Sequence, residues 1–261
     1  MSESNVSQIP DYYHIDELEK TGLVKTVYSS VNRFAWKFGK EGSLENCRDL
    51  VKNFGITTED MVMLNQTHTS KVRVVTKKEG GEMVTRPQTV EGFDGMVTNE
   101  KGLLLATTEA DCVPVYLLDP VKKAIGMVHS GWRGTAGEIS LDAVKVMQEQ
   151  YGSNPSDIKV VIGPCICRNC YEVGEDLLKK FMVNYSEEEI ELFFVYRRTE
   201  NGVRKFFLDL KEAIFISLEK AGVKAENMSA LNICTFETPA IGSWRRDNPN
   251  MRSMVTGIML I

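Results

Sequence analysis

The chain has 261 residues, 43% of them hydrophobic and 26% charged, which supplies a core and excludes both wholesale disorder and a disulfide-stapled miniprotein. Acidic residues outnumber basic ones 36 to 31, a formal net charge of -5, so no strong field for nucleic acid surrounds it. The longest runs free of Asp, Glu, Lys and Arg, such as Met61 to Ser70, reach ten residues, against the roughly 18 apolar residues of a membrane-spanning helix.

Met1 to Lys20 is acidic and polar, without the basic start and apolar middle of a signal peptide. It reads as an N-terminal extension (1–20) ahead of one domain over residues 21–261, and the protein reads as cytoplasmic, with no membrane or nucleic-acid partner. In a reducing compartment its six cysteines are thiols, ligands or nucleophiles rather than disulfides. Short apolar runs predict strands at Lys71 to Val75, Leu103 to Thr108, Val113 to Leu118, Ala124 to His129, Lys159 to Gly163, Leu192 to Tyr196, Phe206 to Leu208 and Leu231 to Thr235. Between them, Ile139, Ala143, Val144 and Met147 mark one helix that stops at Gly152, and Leu210, Ala213, Ile214 and Leu218 mark another that stops at Gly222. No repeat or linker divides the chain, so the expectation is a single mixed α/β (α+β) domain whose strand order stays open.

Two of the three histidines, His68 and His129, stand at strand ends in polar, turn-flanked contexts, and Cys112 stands at a junction between two predicted strands. Together they offer a His/Cys/His set, the donor types and the count of an open catalytic zinc site. Separations of 44 and 17 residues match no compact zinc motif, and ordinary strand-end histidines with a buried small cysteine are the alternative. After His129, the segment Ser130 to Thr135 carries Gly131, Arg133 and Gly134 into a helix. A turn of this kind offers backbone NH groups and a guanidinium to an anion; a tight turn with an ion-paired arginine is the other reading. Arg245, Arg246 and Arg252 make a second basic cluster, able to supply another arm or to form a solvated loop.

Cys165, Cys167 and Cys170 are the densest cysteine cluster, a candidate for a second zinc with Cys47 or Cys234. They resemble only part of the nucleobase-deaminase signature, and no H-x-E occurs. Tyr171 to Asp176 reads instead as the start of a helix with acidic residues in its first turn.

Six segments in order closely resemble the laccase-domain family: Asn65 to His68, Asp94 to Thr98, Ala110 to Pro114, His129 to Gly134, Ile162 to Pro164 with Tyr171 to Gly174, and Arg245 to Asp247. The resemblance runs over roughly residues 20 to 261. The chain departs from the family pattern at Trp244, where tyrosine is usual, at Asn248 to Met251, where a glycine-containing turn is usual, and between Val24 and Gly42, where an arginine followed by two glycines is usual. The resemblance implies a single layered α/β domain with His68, Cys112 and His129 as metal ligands and catalytic centre, zinc as the ion and copper as the alternative. It implies purine nucleosides and inorganic phosphate as partners: phosphorolysis of adenosine, inosine, guanosine and methylthioadenosine, plus adenosine deamination. Arg133, Gly131 and Arg245 are the expected substrate-binding residues. Two other activities use the same atoms: a thiol hydrolase acting on amides of cell-wall precursors, with Cys112 as nucleophile and His129 as base, and a copper-dependent polyphenol oxidase.

Overall fold

The computed structural model describes residues 10–31 and 38–261; residues 1–9 of the expected extension, and residues 32–37 of the stretch between Val24 and Gly42, lie outside them. The strands are β1 (Tyr12–Tyr13), β2 (Val24–Ser29), β3 (Met61–Val62), β4 (Val72–Val74), β5 (Gly95–Thr98), β6 (Leu104–Glu109), β7 (Val113–Asp119), β8 (Ala124–Ser130), β9 (Lys159–Ile162), β10 (Glu172–Gly174), β11 (Phe194–Glu200), β12 (Val203–Leu208), β13 (Met228–Ala230) and β14 (Met254–Leu260). The helices are α1 (Asp16–Glu19), α2 (Ser43–Lys52), α3 (Trp132–Ala136), α4 (Ile139–Tyr151), α5 (Glu175–Phe181), α6 (Glu187–Phe193), α7 (Leu210–Lys220) and α8 (Trp244–Asp247).

Two mixed sheets carry the fold, one ordered β1-β2-β14-β6-β3 and the other β13-β9-β7-β8-β5-β4, with a small β10-β12-β11 sheet beside them. Because side chains alternate along a strand, β7 feeds two cores. Val113, Val115 and Leu117 join Ala143, Val144 and Met147 of α4 and Ala213, Ile214 and Leu218 of α7. Tyr116 and Leu118 face the other way, packing with Leu105 of β6 and Ile258 of β14. The first sheet in turn presents Val27, Leu104 and Val255 to Cys47, Leu50 and Val51 of α2. The layers therefore run helix, sheet, sheet, helices, and the buried Tyr116 hydroxyl donates to the Val27 carbonyl at 2.8 Å to tie sheet to sheet. The segment expected to extend ahead of the domain supplies β1, which pairs with β2, and the fully buried Leu18.

Both predicted helices form, α4 ending at a left-handed Gly152. Three local expectations change. Ser130 to Thr135 does not lead directly into α4: it opens the short α3, and α4 begins after Glu138, whose φ is 55°. The residues after Cys170 first form β10, paired with β12, so the helix starts only at Glu175. Leu231 to Thr235 is not a strand; the ladder with β9 belongs to β13, and the chain then leaves the sheet.

Candidate metal centre and its pocket

Strand direction gathers the site. β3 and β6 are parallel, β7 is antiparallel to both β8 and β9, and β14 is antiparallel to β6. Hence the ends of β3, β6, β8 and β9 and the starts of β7 and β14 all lie at one end of the paired sheets. The strand ends, turns and loops at that end carry His68, Cys112, His129, Tyr171 and Arg245.

His68, Cys112 and His129 offer donor atoms that all lie within 4.8 Å of one another. The two imidazoles meet edge to face, their centroids 5.0 Å apart, and the Cys112 Sγ is 4.0 Å from His68 Nε2. His68 and Asp111, next to Cys112, hold φ values of 62° and 82°, uncommon for residues with side chains and found where a site over-determines the backbone. Gly131 keeps the middle open: a Cβ there would lie 2.9 Å from Cys112 Sγ and 3.0 Å from His68 Cδ2. Two imidazoles, a thiolate and a space that a methyl group would fill fit a thiophilic metal ion. His14, the remaining histidine, is held elsewhere by the Thr26 carbonyl and Glu19.

Asp94 organises this centre. Its buried carboxylate lies 2.9 Å from His129 Nδ1, and it accepts the backbone NH groups of Thr67, His68 and Thr69 at 3.2, 2.9 and 2.8 Å. The Asp94 carbonyl accepts the His129 NH at 2.8 Å. Burial works against the Asp94 carboxylate, but its bonds from His129 and Thr69 prevail and hold its pKa below the usual value. With Nδ1 engaged, Nε2 of His129 is the nitrogen left for a metal, the pattern of histidine ligands backed by a carboxylate. Gln66 braces the same loop, donating to the Thr108 carbonyl at 2.8 Å and accepting the Thr108 NH at 2.9 Å.

Cys112 and His129 each favour the other's charged form. Burial favours the neutral thiol, yet the charge of His129 and hydrogen bonds from both histidines pull Cys112 down to about 6. Burial likewise favours neutral His129, but the Cys112 charge and the Asp94 bond push it up to about 10. A thiol already inclined to ionise is a ready ligand or nucleophile.

The three donors line a cavity of about 530 Å³, shared with Trp132, Arg133, Tyr171, Trp244 and Arg245. Arg133 stacks on Trp132 at 4.3 Å, and no carboxylate among the described residues pairs with it. Arg245 donates to the Glu172 carbonyl at 3.1 and 3.2 Å and lies 5.2 Å over the Tyr171 ring. Its backbone NH donates to Asp111 at 2.7 Å, fastening this wall to the Cys112 loop. Arg246 takes no part in the cavity; it clamps the carbonyls of Thr235, Phe236, Thr238 and Ile241 and pairs with Asp247.

The residue-by-residue reading found the three donors, Arg133 and Arg245 but assigned no role to Asp94, Gln66, Asp111, Tyr171 or Trp244. Asp94 offers one signal, its place inside a family-like segment directly ahead of an apolar strand.

Several known proteins are similar to this chain. The purine nucleoside phosphorylase YlmD of Bacillus subtilis is 31% identical over 240 residues, covering 91% of this chain and 84% of that protein. The adenosine deaminase RL5 of an unknown prokaryotic organism is 32% identical over 212 residues, covering 80% and 78%. The crystal structure of hypothetical protein YfiH of Bacillus licheniformis superposes with a TM-score of 0.86 at 27% identity, over 97% of both chains. Among the described residues, no helix is long and apolar enough to cross a membrane. The family model of the multi-copper polyphenol oxidoreductase laccases matches residues 17–261, and the chain belongs to that laccase-domain family.

Proposed function

We propose that this protein is a zinc-dependent purine nucleoside phosphorylase that also deaminates adenosine, with His68, Cys112 and His129 as metal ligands. The observation that carries the reading is the convergence of these three donors in a cavity of about 530 Å³ beside Arg133, which pairs with no carboxylate among the described residues. The names of relatives at about 30% identity, a phosphorylase and a deaminase, support it. A zinc ion held by these donors supplies Lewis acidity and lowers the pKa of water to about 7.

The chain's own residues do the rest. Trp132, Tyr171 and Trp244 offer apolar faces to the purine. Arg133 holds inorganic phosphate against the sugar carbon as the base departs, with its charge ready before the reaction begins. Gly131 leaves room for the reacting groups, and Arg245 keeps the Tyr171 wall upright while presenting its outer edge to substrate. Asp94 holds His129 in one tautomer.

Three histidines are too few for a multicopper oxygen-reducing cluster, which weighs against the oxidase alternative. The placement of the Cys112 thiol beside His129, which draws it toward ionisation, is the one feature that favours a thiol hydrolase. A nucleoside panel run with and without phosphate, beside a panel of peptide amides, on zinc-loaded and chelator-treated protein, separates the two. Phosphate-dependent base release that chelator abolishes supports the phosphorylase; hydrolysis of amides that chelator enhances supports the thiol enzyme. Arg133→Ala should raise the phosphate requirement roughly tenfold or more, the worth of a charge-assisted contact, and leave deamination little changed. Equal damage to both reactions at normal zinc content removes Arg133 from the phosphate site.

A further inference from the structure

Outside the pocket, a second set of donors converges. Cys167, Cys170, Cys234 and Glu237 place one ligand atom each within 4.8 Å of all the others. They come as two C-x-x-ligand pairs, Cys167 with Cys170 and Cys234 with Glu237. The first pair sits on a 3-10 turn, Arg168–Cys170, in which the Cys170 NH donates to the Cys167 carbonyl at 3.1 Å. The second sits on a turn closed by the Thr238 NH donating to the Cys234 carbonyl at 3.0 Å. A backbone β-bridge between the residues Cys165 and Cys234, both free thiols, with the Thr235 NH on the Cys165 carbonyl at 3.1 Å, brings the turns together.

The chemistry of this cluster is that of a ligand set. The Cys167 NH donates to Cys234 Sγ at 3.3 Å, and Cys170 Sγ lies 3.6 Å from the Glu237 carboxylate. Among the described residues, no lysine or arginine bonds to any of the four side chains. Three thiols and a carboxylate thus share one small volume without a protein cation to offset their negative forms. Four donors tetrahedrally placed around one zinc stand about 3.8 Å apart for sulfur at 2.3 Å, so closure from the present spacing is small. Cys47 and Cys165, buried in hydrophobic cores, stand outside the set.

We propose that Cys167, Cys170, Cys234 and Glu237 bind a second, structural zinc ion. Four protein ligands saturate it, as structural sites require, whereas the centre at His68 offers three. The ion clips the turn that runs on to Tyr171 and Glu172 to the loop that runs on to Trp244 and Arg245. Those are the two sides of the cavity wall that Arg245 spans by its bonds to the Glu172 carbonyl. The proposal stands independently of what the pocket catalyses.

Native mass spectrometry of the full chain, grown with zinc and exchanged into metal-free buffer under reductant, tests it. His129→Ala should keep one zinc per chain, and Cys170→Ser should hold one fewer than wild type. Glu237→Gln, altered at an exposed ligand, should lose the same ion to a chelator far sooner than wild type while remaining folded. In cobalt-loaded His129→Ala, thiolate-to-cobalt charge-transfer absorption should appear, and it should vanish when Cys170→Ser is added. A His129→Ala chain with no zinc and freely titrating thiols overturns the proposal. So does a Cys167 to Cys170 disulfide in the protein as purified under reductant, or an unchanged zinc count in Cys170→Ser with chelator release unchanged in Glu237→Gln.

Discussion

Asp94 is the residue on which most of the metal centre hangs, because one carboxylate both fixes the His129 ring and gathers three backbone NH groups of the His68 loop. Asp94→Asn keeps the shape but lowers the accepting power of the side chain. Loss of a ligand's carboxylate partner costs about 10- to 100-fold in metal affinity, so competition against a chromophoric chelator should read a drop of that size. An unchanged affinity would mean that His129 is held by packing alone. Glu109, three residues before Cys112, is a different case. It is buried, its Oε2 accepts from Thr256 at 2.8 Å, and its Oε1 has no partner. Burial pushes its pKa from 4.5 to about 7, against the opposing charge of His129 and the bonds from Thr107 and Thr256. The folded protein therefore binds more protons than the unfolded chain between pH 4.5 and about 7, and stability falls as pH rises through that window. The neutral Glu109→Gln lacks this dependence. Urea unfolding should show its stability rising relative to wild type by about 3 kcal/mol between pH 4.5 and pH 8; a constant difference would place the Glu109 charge outside the titration.

At the scale of elements, the corner from β8 into α3 does what neither element does alone. β8 ends on His129 and Ser130, and α3 starts at Trp132, so Gly131 is the single residue left between ligand and arginine-bearing helix. Its missing side chain is the space beside Cys112 and His68. Gly131→Ala should cost about 1–3 kcal/mol of metal binding through overpacking, a loss of roughly 5- to 150-fold in zinc affinity. Isothermal titration on the metal-free protein measures it, and affinity equal to wild type would show that the donors relax freely. Elements also decide which expectations from sequence held. β7 and β8, central and buried along their whole length, are continuous apolar runs and were legible. β2 and β14 were not, since Lys25, Thr26, Thr256 and Gly257 break the apolar signal. Gly257 is small for a tertiary reason: a Cβ there would lie 3.0 Å from the Leu105 carbonyl of the neighbouring strand. Leu231 to Thr235 is apolar enough for a strand, but after the Leu231 NH bonds the Ile162 carbonyl the chain turns to follow Cys165.

At the scale of the whole molecule, the two sheets are held by their shared core and by a few polar ties. One of these is Arg73 of β4, which reaches Glu82 at 2.8 Å, both side chains at least nine-tenths buried. The Glu82 segment bonds to β3 of the opposite sheet through the Gly81 NH to the Met61 carbonyl and the Met63 NH to the Glu82 carbonyl. Arg73→Met would leave Glu82 to Thr89 and the more distant Arg86. Breaking a buried pair on one side costs about 3–5 kcal/mol, and with those partners remaining the lower end, about 3 kcal/mol, should appear as a reduced urea midpoint. A midpoint equal to wild type would mean that Arg86 replaces Arg73 outright.

Local pattern carried the mixed α/β class, the helices at α4 and α7, the central strands, and the His68, Cys112 and His129 set, because periodicity and residue chemistry are properties of short stretches. The six family-like segments joined those residues into one expected site. What Asp94 bonds, which arginine is free and which is a clamp, and why Cys234 rather than Cys47 stands beside Cys167 depend on strand order and direction. These are set by which faces find partners across the whole chain, and hydrogen bonds between residues 26 to 149 positions apart leave no period to read.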